Sequence, residues 1–173
     1  KIAYAKKIGF TNIGFSTNCN ILTKDKTKQL LESGLNCLLA SIDGFSKEVQ
    51  EEIRPGTNFE RIYKNVKYFI DYRNKNNFPC RILPRMVRQQ ANKKQWIEYE
   101  NYWNSLLDPN KGDKVLFMDI HNTGGKVKDF EKQKVNDYDE KISSYNFNHR
   151  SELDNSYLEK IINTDPNNKN NYI

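Results

Sequence analysis

An α/β fold of parallel strands alternating with helices is the class this 173-residue chain predicts, on three observations. Short stretches of alternating or apolar character recur near residues 12–18, 36–43, 80–89 and 115–121. Segments with helical spacing of apolar residues lie between them. Each gap is long enough for a helical crossover, which makes successive strands parallel and the crossover right-handed.

The chain opens in a helical pattern over 1–8 that Gly9 caps, and Thr11 and Asn12 form a short turn. The strand over 12–18 sets Ile13, Phe15 and Thr17 on one side, with Gly14, Ser16 and Asn18 on the other. Thr23 caps a helix whose buried side carries Thr27, Leu30 and Leu31, and Gly34 ends it. The organising stretch is 36–54. Leu38, Ala40 and Ile42 face one way and Cys37, Leu39, Ser41 and Asp43 the other, so the second face turns polar just before Gly44 breaks the strand. Ser46 then caps a helix that carries Val49 and Ile53 inward and stops at Arg54, Pro55 and Gly56. Thr57 and Glu60 have capping-box spacing, and Phe59, Ile62, Val66, Phe69 and Ile70 recur at helical intervals as far as Asn74.

Pro84 inside the strand over 80–89 predicts a bulge or an edge position. Asn92 with Gln95 is a second capping-box variant. Trp96, Tyr99, Trp103, Leu106 and Leu107 then form an apolar stripe that reads as core rather than as a stacking platform for bases. A polar loop over 108–113 leads to the strand over 115–121, where Leu116, Met118 and Ile120 oppose Phe117, Asp119 and His121. After Gly125 the pattern weakens. Residues 126–148 keep no period, 151–162 suit one short helix, and the tail from Asn163 reads as disordered. The expected division is a globular part over 1–125 and a polar linker with a tail over 126–173.

The net charge of +6 is concentrated in residues 1–125, which hold 20 basic against 13 acidic side chains. Lysines alternate with glutamates along the helices, so a solvated face is the expectation and a nucleic-acid partner is not. No apolar run approaches the ~20 residues of a membrane span, so neither a membrane partner nor any location but the cytoplasm is expected. Cys19, Cys37 and Cys80 are scattered without metal-ligand spacing and read as reduced structural thiols. No HExxH, GxSxG, Walker or dinucleotide glycine motif occurs.

What remains is a set of polar residues at successive strand ends: Thr17 and Asn18, Ser41 and Asp43, Arg88, and His121 with Asn122. In a curved parallel sheet these converge on one mouth. The hydroxyls of Thr17 and Ser41 suit a ribose or carboxylate, and Arg54 suits a carboxylate held by a charge-assisted pair. Plainer readings stand beside these. Thr17 is a β-branched strand residue, Asn18 a turn former, and Asp43 a turn residue before glycine. Arg54 has Glu51 and Glu52 nearby as surface partners. A lone histidine such as His121 reads as structural rather than as a metal ligand.

The ordered segments STNCNIL, LLESGLNCLLASIDG and EEIRPGTNFERIYKNVKYF resemble the middle of radical S-adenosylmethionine enzymes, in the branch whose C-terminus carries the cysteine-rich SPASM domain. The likeness spans about residues 5–125. It implies a partial (β/α)6 TIM-like barrel, with Thr17 and Ser41 contacting S-adenosylmethionine, Arg54 helping to hold its carboxylate, and Asn18 and Asp43 in the same mouth. It further implies a [4Fe-4S] cluster, an electron donor, and a 5′-deoxyadenosyl radical that takes hydrogen from a peptide or small-molecule substrate in an oxidoreductase or maturase reaction.

The sequence departs from that pattern in two respects. The cluster needs a C-x3-C-x2-C loop, and no pair among Cys19, Cys37 and Cys80 has that spacing; no SPASM cysteines follow Gly125 either. The expectation is therefore a fragment with its cluster ligands upstream of Lys1, inactive alone, whose strand over 12–18 is an uncovered edge prone to self-association. The alternative is a non-catalytic α/β module that binds a peptide or nucleotide on the same scaffold.

Overall fold

A computed structural model describes residues 1–136. The helix expected over 151–162 and the tail from Asn163 lie outside the described residues. The compact unit runs Lys1–Val135, past the boundary at 125 that the sequence suggests. Gln90 donates to the Lys134 carbonyl at 2.9 Å, and Val135 is buried.

The elements follow in the order α1 (Ile2–Lys7), β1 (Gly14–Thr17), α2 (Lys24–Glu32), β2 (Cys37–Ser41), α3 (Lys47–Ile53), α4 (Phe59–Lys75), β3 (Arg81–Arg88), α5 (Trp96–Asn104), β4 (Leu116–Asp119) and α6 (Phe130–Gln133). The four strands form one parallel sheet in the order β1-β2-β3-β4. Sequential order with right-handed crossovers puts the connecting helices on a single face.

The register names that face. Thr17 pairs with Ala40, Ala40 with Pro84, and Met86 with Phe117. Leu38, Ala40 and Ile42 are fully buried there, together with Ile62, Val66 and Phe69 of α4, and with Ile82 and Met86. Phe117 meets Tyr99 of α5 with centroids 6.0 Å apart, and Arg88 lies over the Trp96 ring at 5.1 Å. The opposite face carries Ser16, Leu39, Ser41, Leu83, Arg85, Leu116 and Met118.

Local chemistry explains most boundaries. Thr23 and Ser46 accept from Lys26 and Val49 as N-caps. Gly9, Gly34 and Gly56 have positive φ where helices or loops turn. Two capping boxes are placed differently from expectation. Asn58, not Thr57, caps α4 by accepting from Arg61. Gln89 and Asn92 form the box of a 3-10 turn over Gln90–Gln95, while Gln95 instead accepts from the Phe45 amide and donates to Ser46. On α3 the buried residue is Gln50; Val49 and Ile53 are only half-buried.

Pro84 is neither at an edge nor in a bulge. It sits in an inner strand, paired in unbroken register with Ala40. Arg81 donates to the Asn36 carbonyl, the Arg85 carbonyl accepts from Ile42, and Val87 donates to Asp43, so odd residues of β3 bond toward β2. Ile82 donates the other way, to Asp113. The missing N–H of Pro84 thus faces the flank of β4 one residue before that ladder begins at Arg85, and no bond is lost.

One buried ion pair ties the N-terminal ends of β3 and β4 to α4. Arg73 forks onto Asp113 at 2.5 and 2.6 Å with both side chains fully buried, and also donates to the Cys80 carbonyl. The remaining Asp113 lone pairs accept from the Ile82 and Asp108 amides. Every oxygen direction is used, which such burial requires.

Candidate functional site

The C-terminal end of β2 is where the polar groups gather. Gly44 lets the chain leave the strand: a Cβ there would run into the backbone nitrogen of Gln50. The Gln50 side-chain oxygen accepts from the amides of Asp43 and Gly44 at 2.9 and 3.0 Å, and its amide nitrogen donates to Thr57. Tyr63 Oη donates to the Gly44 carbonyl at 2.9 Å. The turn is clamped from both sides, so the directions of Ser41 and Asp43 are fixed.

Asp43 is 2% exposed. One carboxylate oxygen accepts from Arg54 Nε at 2.6 Å and the other from the Val87 amide at 2.8 Å, while its carbonyl accepts from Asn92. Its role is therefore to join the ends of β2 and β3 and to hold Arg54. Arg54 pairs with this residue rather than with Glu51 or Glu52; Glu51 instead accepts from the Phe59 amide. The Arg54 side chain is 29% exposed, and its Nη groups make no hydrogen bond among the described residues.

On the face away from the helices, a chain of polar contacts crosses three strands. Ser16 and Ser41 hydroxyls lie 2.8 Å apart, and Arg85 Nη2 donates to Ser41 Oγ at 2.7 Å. Arg85 Nη1 points to the Met118 sulfur at 3.8 Å. Arg85 Nε is buried without a hydrogen-bond partner among the described residues. A ligand oxygen placed at Nε would satisfy a donor that otherwise carries a desolvation cost. A guanidinium bonded to one hydroxyl, which in turn pairs with a second, suits a carboxylate, a phosphate or a ribose diol.

The predicted residues thus divide. Ser41, Asp43 and Arg54 collect at one strand end. Thr17 does not join them, because its register partner Ala40 belongs to the helix face; its hydroxyl accepts from the Cys19 amide. Ser16, its neighbour, faces Ser41 instead. Asn18 is exposed and accepts from the Asn20 amide, as a turn former does. Arg88 is buried on the helix face and pairs with Asp119. His121 and Asn122 are exposed beyond β4, and Asn122 accepts from Val127.

The loop after β1 nevertheless reaches the Arg54 rim. Asn20 donates to the Gly56 carbonyl and accepts from Asn58, and Asn65 donates to the Cys19 carbonyl. Cys19 adopts φ 60° within this loop. Burial pushes its thiol up to about 12, against the opposing pull of Arg54. Cys80 is likewise raised to about 12, first by burial and then by Cys37. Such thiols are poor nucleophiles and poor metal ligands.

A [4Fe-4S] cluster does not fit these residues. The three cysteines are free and buried, and no group of three His, Cys, Asp or Glu side chains among the described residues is placed to hold a metal ion. No described helix is long and apolar enough to cross a membrane. No protein-family model and no curated protein matches the chain, so geometry and chemistry alone define the candidate site.

Proposed function

We propose that this chain is the middle of a radical S-adenosylmethionine enzyme, folded as a partial (β/α)6 barrel, and that its open sheet face receives the polar end of S-adenosylmethionine. The observation that carries the reading is the Ser16–Ser41–Arg85 chain beside the Asp43–Arg54 pair. The sequential strand order supports the barrel, because a doubly wound sheet would reverse direction at a switch point.

In this reading Arg85 and the two serines take the carboxylate or ribose oxygens, and Arg54 offers its Nη groups at the rim. Gln50, Tyr63 and Asp43 keep the β2 end from moving, which is the preorganisation that binding requires. When bound, S-adenosylmethionine would supply hydrogen-abstraction chemistry, with the electron coming from an iron–sulfur cluster. The cluster's thiol ligands and the electron donor come from outside the described residues. The substrate is a peptide or a small molecule taken at the same mouth.

The test is anaerobic reconstitution of the full-length protein with iron and sulfide, followed by assay for 5′-deoxyadenosine. Binding of S-adenosylmethionine by titration calorimetry should weaken by roughly tenfold or more in Arg85→Gln, the worth of one charge-assisted hydrogen bond. A reconstituted protein that makes no 5′-deoxyadenosine, and whose affinity ignores Arg85, ends this reading.

A further inference from the structure

The regular ladder between β2 and β3 stops just short of the mouth. Its last paired residues are Ser41 and Arg85, followed by the bond from the Ile42 amide to the Arg85 carbonyl. Beyond that point the Asn92 side chain takes over. Its amide nitrogen donates to the Asp43 carbonyl and to the Val87 carbonyl, each at 2.8 Å. Its oxygen accepts from the Gln89 amide and from Trp96 Nε1, each at 3.0 Å. A carboxamide has two N–H groups and two lone pairs, so this one is saturated, and a flipped amide would set N–H against two donors. Gln95 of the same 3-10 turn accepts from the Phe45 amide and donates to Ser46, which fixes the turn that carries Asn92. Fully buried, Asn92 is out of a ligand's reach.

We infer that Asn92 is the positioning residue of the candidate site. It joins the end of β2, which carries Asp43 and through it Arg54, to the end of β3, which carries Arg85 two residues before Val87. Gln50 clamps the β2 turn by itself, whereas Asn92 bonds to both strand ends. The two guanidinium groups thus keep their mutual placement through a side chain that contacts neither. A guanidinium recognises an oxyanion by direction as well as by charge, so a shift of about 1 Å between them is felt in binding. A merely stabilising residue would change the folded fraction and leave the affinity of the folded protein alone. The inference rests on the S-adenosylmethionine reading for the identity of the ligand, and for nothing else.

The test compares Asn92→Asp with Asp113→Asn in the full-length protein, both well below their unfolding midpoints. Asn92→Asp keeps the shape and both acceptances but turns a carboxylate oxygen toward two carbonyls. Asp113→Asn disturbs the opposite end of the sheet, where β3 and β4 begin. Affinity for S-adenosylmethionine, read by titration calorimetry after reconstitution, should fall about tenfold or more in Asn92→Asp and stay at the parent value in Asp113→Asn. Before reconstitution, NMR should show the Arg54 Nε–H exchanging faster with water in Asn92→Asp and unchanged in Asp113→Asn. Parent-like affinity in Asn92→Asp, or a loss that Asp113→Asn matches, overturns the inference and leaves the S-adenosylmethionine reading standing. A parent protein that binds no S-adenosylmethionine ends that reading, and the Arg54 exchange then decides the inference alone. Should Asn92→Asp fail to fold, Asn92→Ser, uncharged and too short to span both carbonyls, carries the same comparison.

Discussion

Asp113→Ala tests how this fold is closed. The carboxylate is fully buried and receives four N–H groups: two from Arg73, one from Ile82 and one from Asp108. Removing one member of a buried pair costs about 3–5 kcal/mol, because the surviving charge is left without compensation. Each abandoned buried amide adds up to ~1–3 kcal/mol where water cannot reach it. The sum overlaps, so a loss of about 5 kcal/mol is expected, comparable with the whole stability of a small domain at roughly 5–15 kcal/mol. Asp113→Asn keeps the shape and one acceptor but turns an –NH₂ toward donors, so it should fall between Asp113→Ala and the parent chain. Arg73→Lys should also destabilise, since an ammonium cannot fork onto both oxygens. Urea unfolding followed by far-UV circular dichroism measures all three, with midpoints compared at unchanged m. A loss under about 1 kcal/mol for Asp113→Ala, the range of an ordinary surface change, would refute the reasoning.

Other outcomes follow from the same contacts. Gly44→Ala should cost about 1–3 kcal/mol as an overpacked site, because the added methyl meets backbone rather than a flexible side chain; the same urea assay reads it. Gln50→Leu should leave the Asp43 and Gly44 amides unsatisfied and raise their hydrogen-exchange rates above those of neighbouring β2 amides. Native Cys19 and Cys80 should alkylate far more slowly with iodoacetamide at pH 8 than in urea. Their pH dependence has a definite sign. Both thiols are raised from 9.0 to about 12, so between those values the folded chain holds protons that the unfolded chain has released. Stability is therefore full below about pH 9 and falls as pH rises toward 12, with Tyr63 and Tyr99, whose hydroxyls burial also raises, adding to the fall above about pH 10. Midpoints of the parent chain against Cys19→Ala and Cys80→Ala across that window separate the thiols' share. No difference between the parent chain and the two cysteine variants there would mean that these thiols are reached by water.

The alternation that set Ser41 and Asp43 opposite Ala40 was legible because a strand's two faces follow from its period alone. The same alternation placed Ser16 on one side of β1 and Thr17 on the other, yet it carried no information on which side would face Ser41. Arg85 was hidden for the same reason. Gln50 was missed because a polar residue on a helix reads as solvent-facing, and Asn92 was read only as a cap, whereas here both side-chain amides satisfy the backbone of the Asp43 turn. Arg73 and Asp113 lie 40 residues apart, a separation at which no local pattern reports a pairing.

Local periodicity and capping chemistry in the sequence thus determined the α/β class, the order of strands and helices, and the clustering of polar groups near the end of β2, since each depends on neighbours within a turn or two. Only the tertiary structure decided register, and with it the exchange of Thr17 for Ser16 beside Ser41, the inner position of Pro84, and the capture of Arg54 by Asp43. Those outcomes depend on hydrogen bonds and packing between segments far apart in the chain, whose relative offset no single stretch encodes.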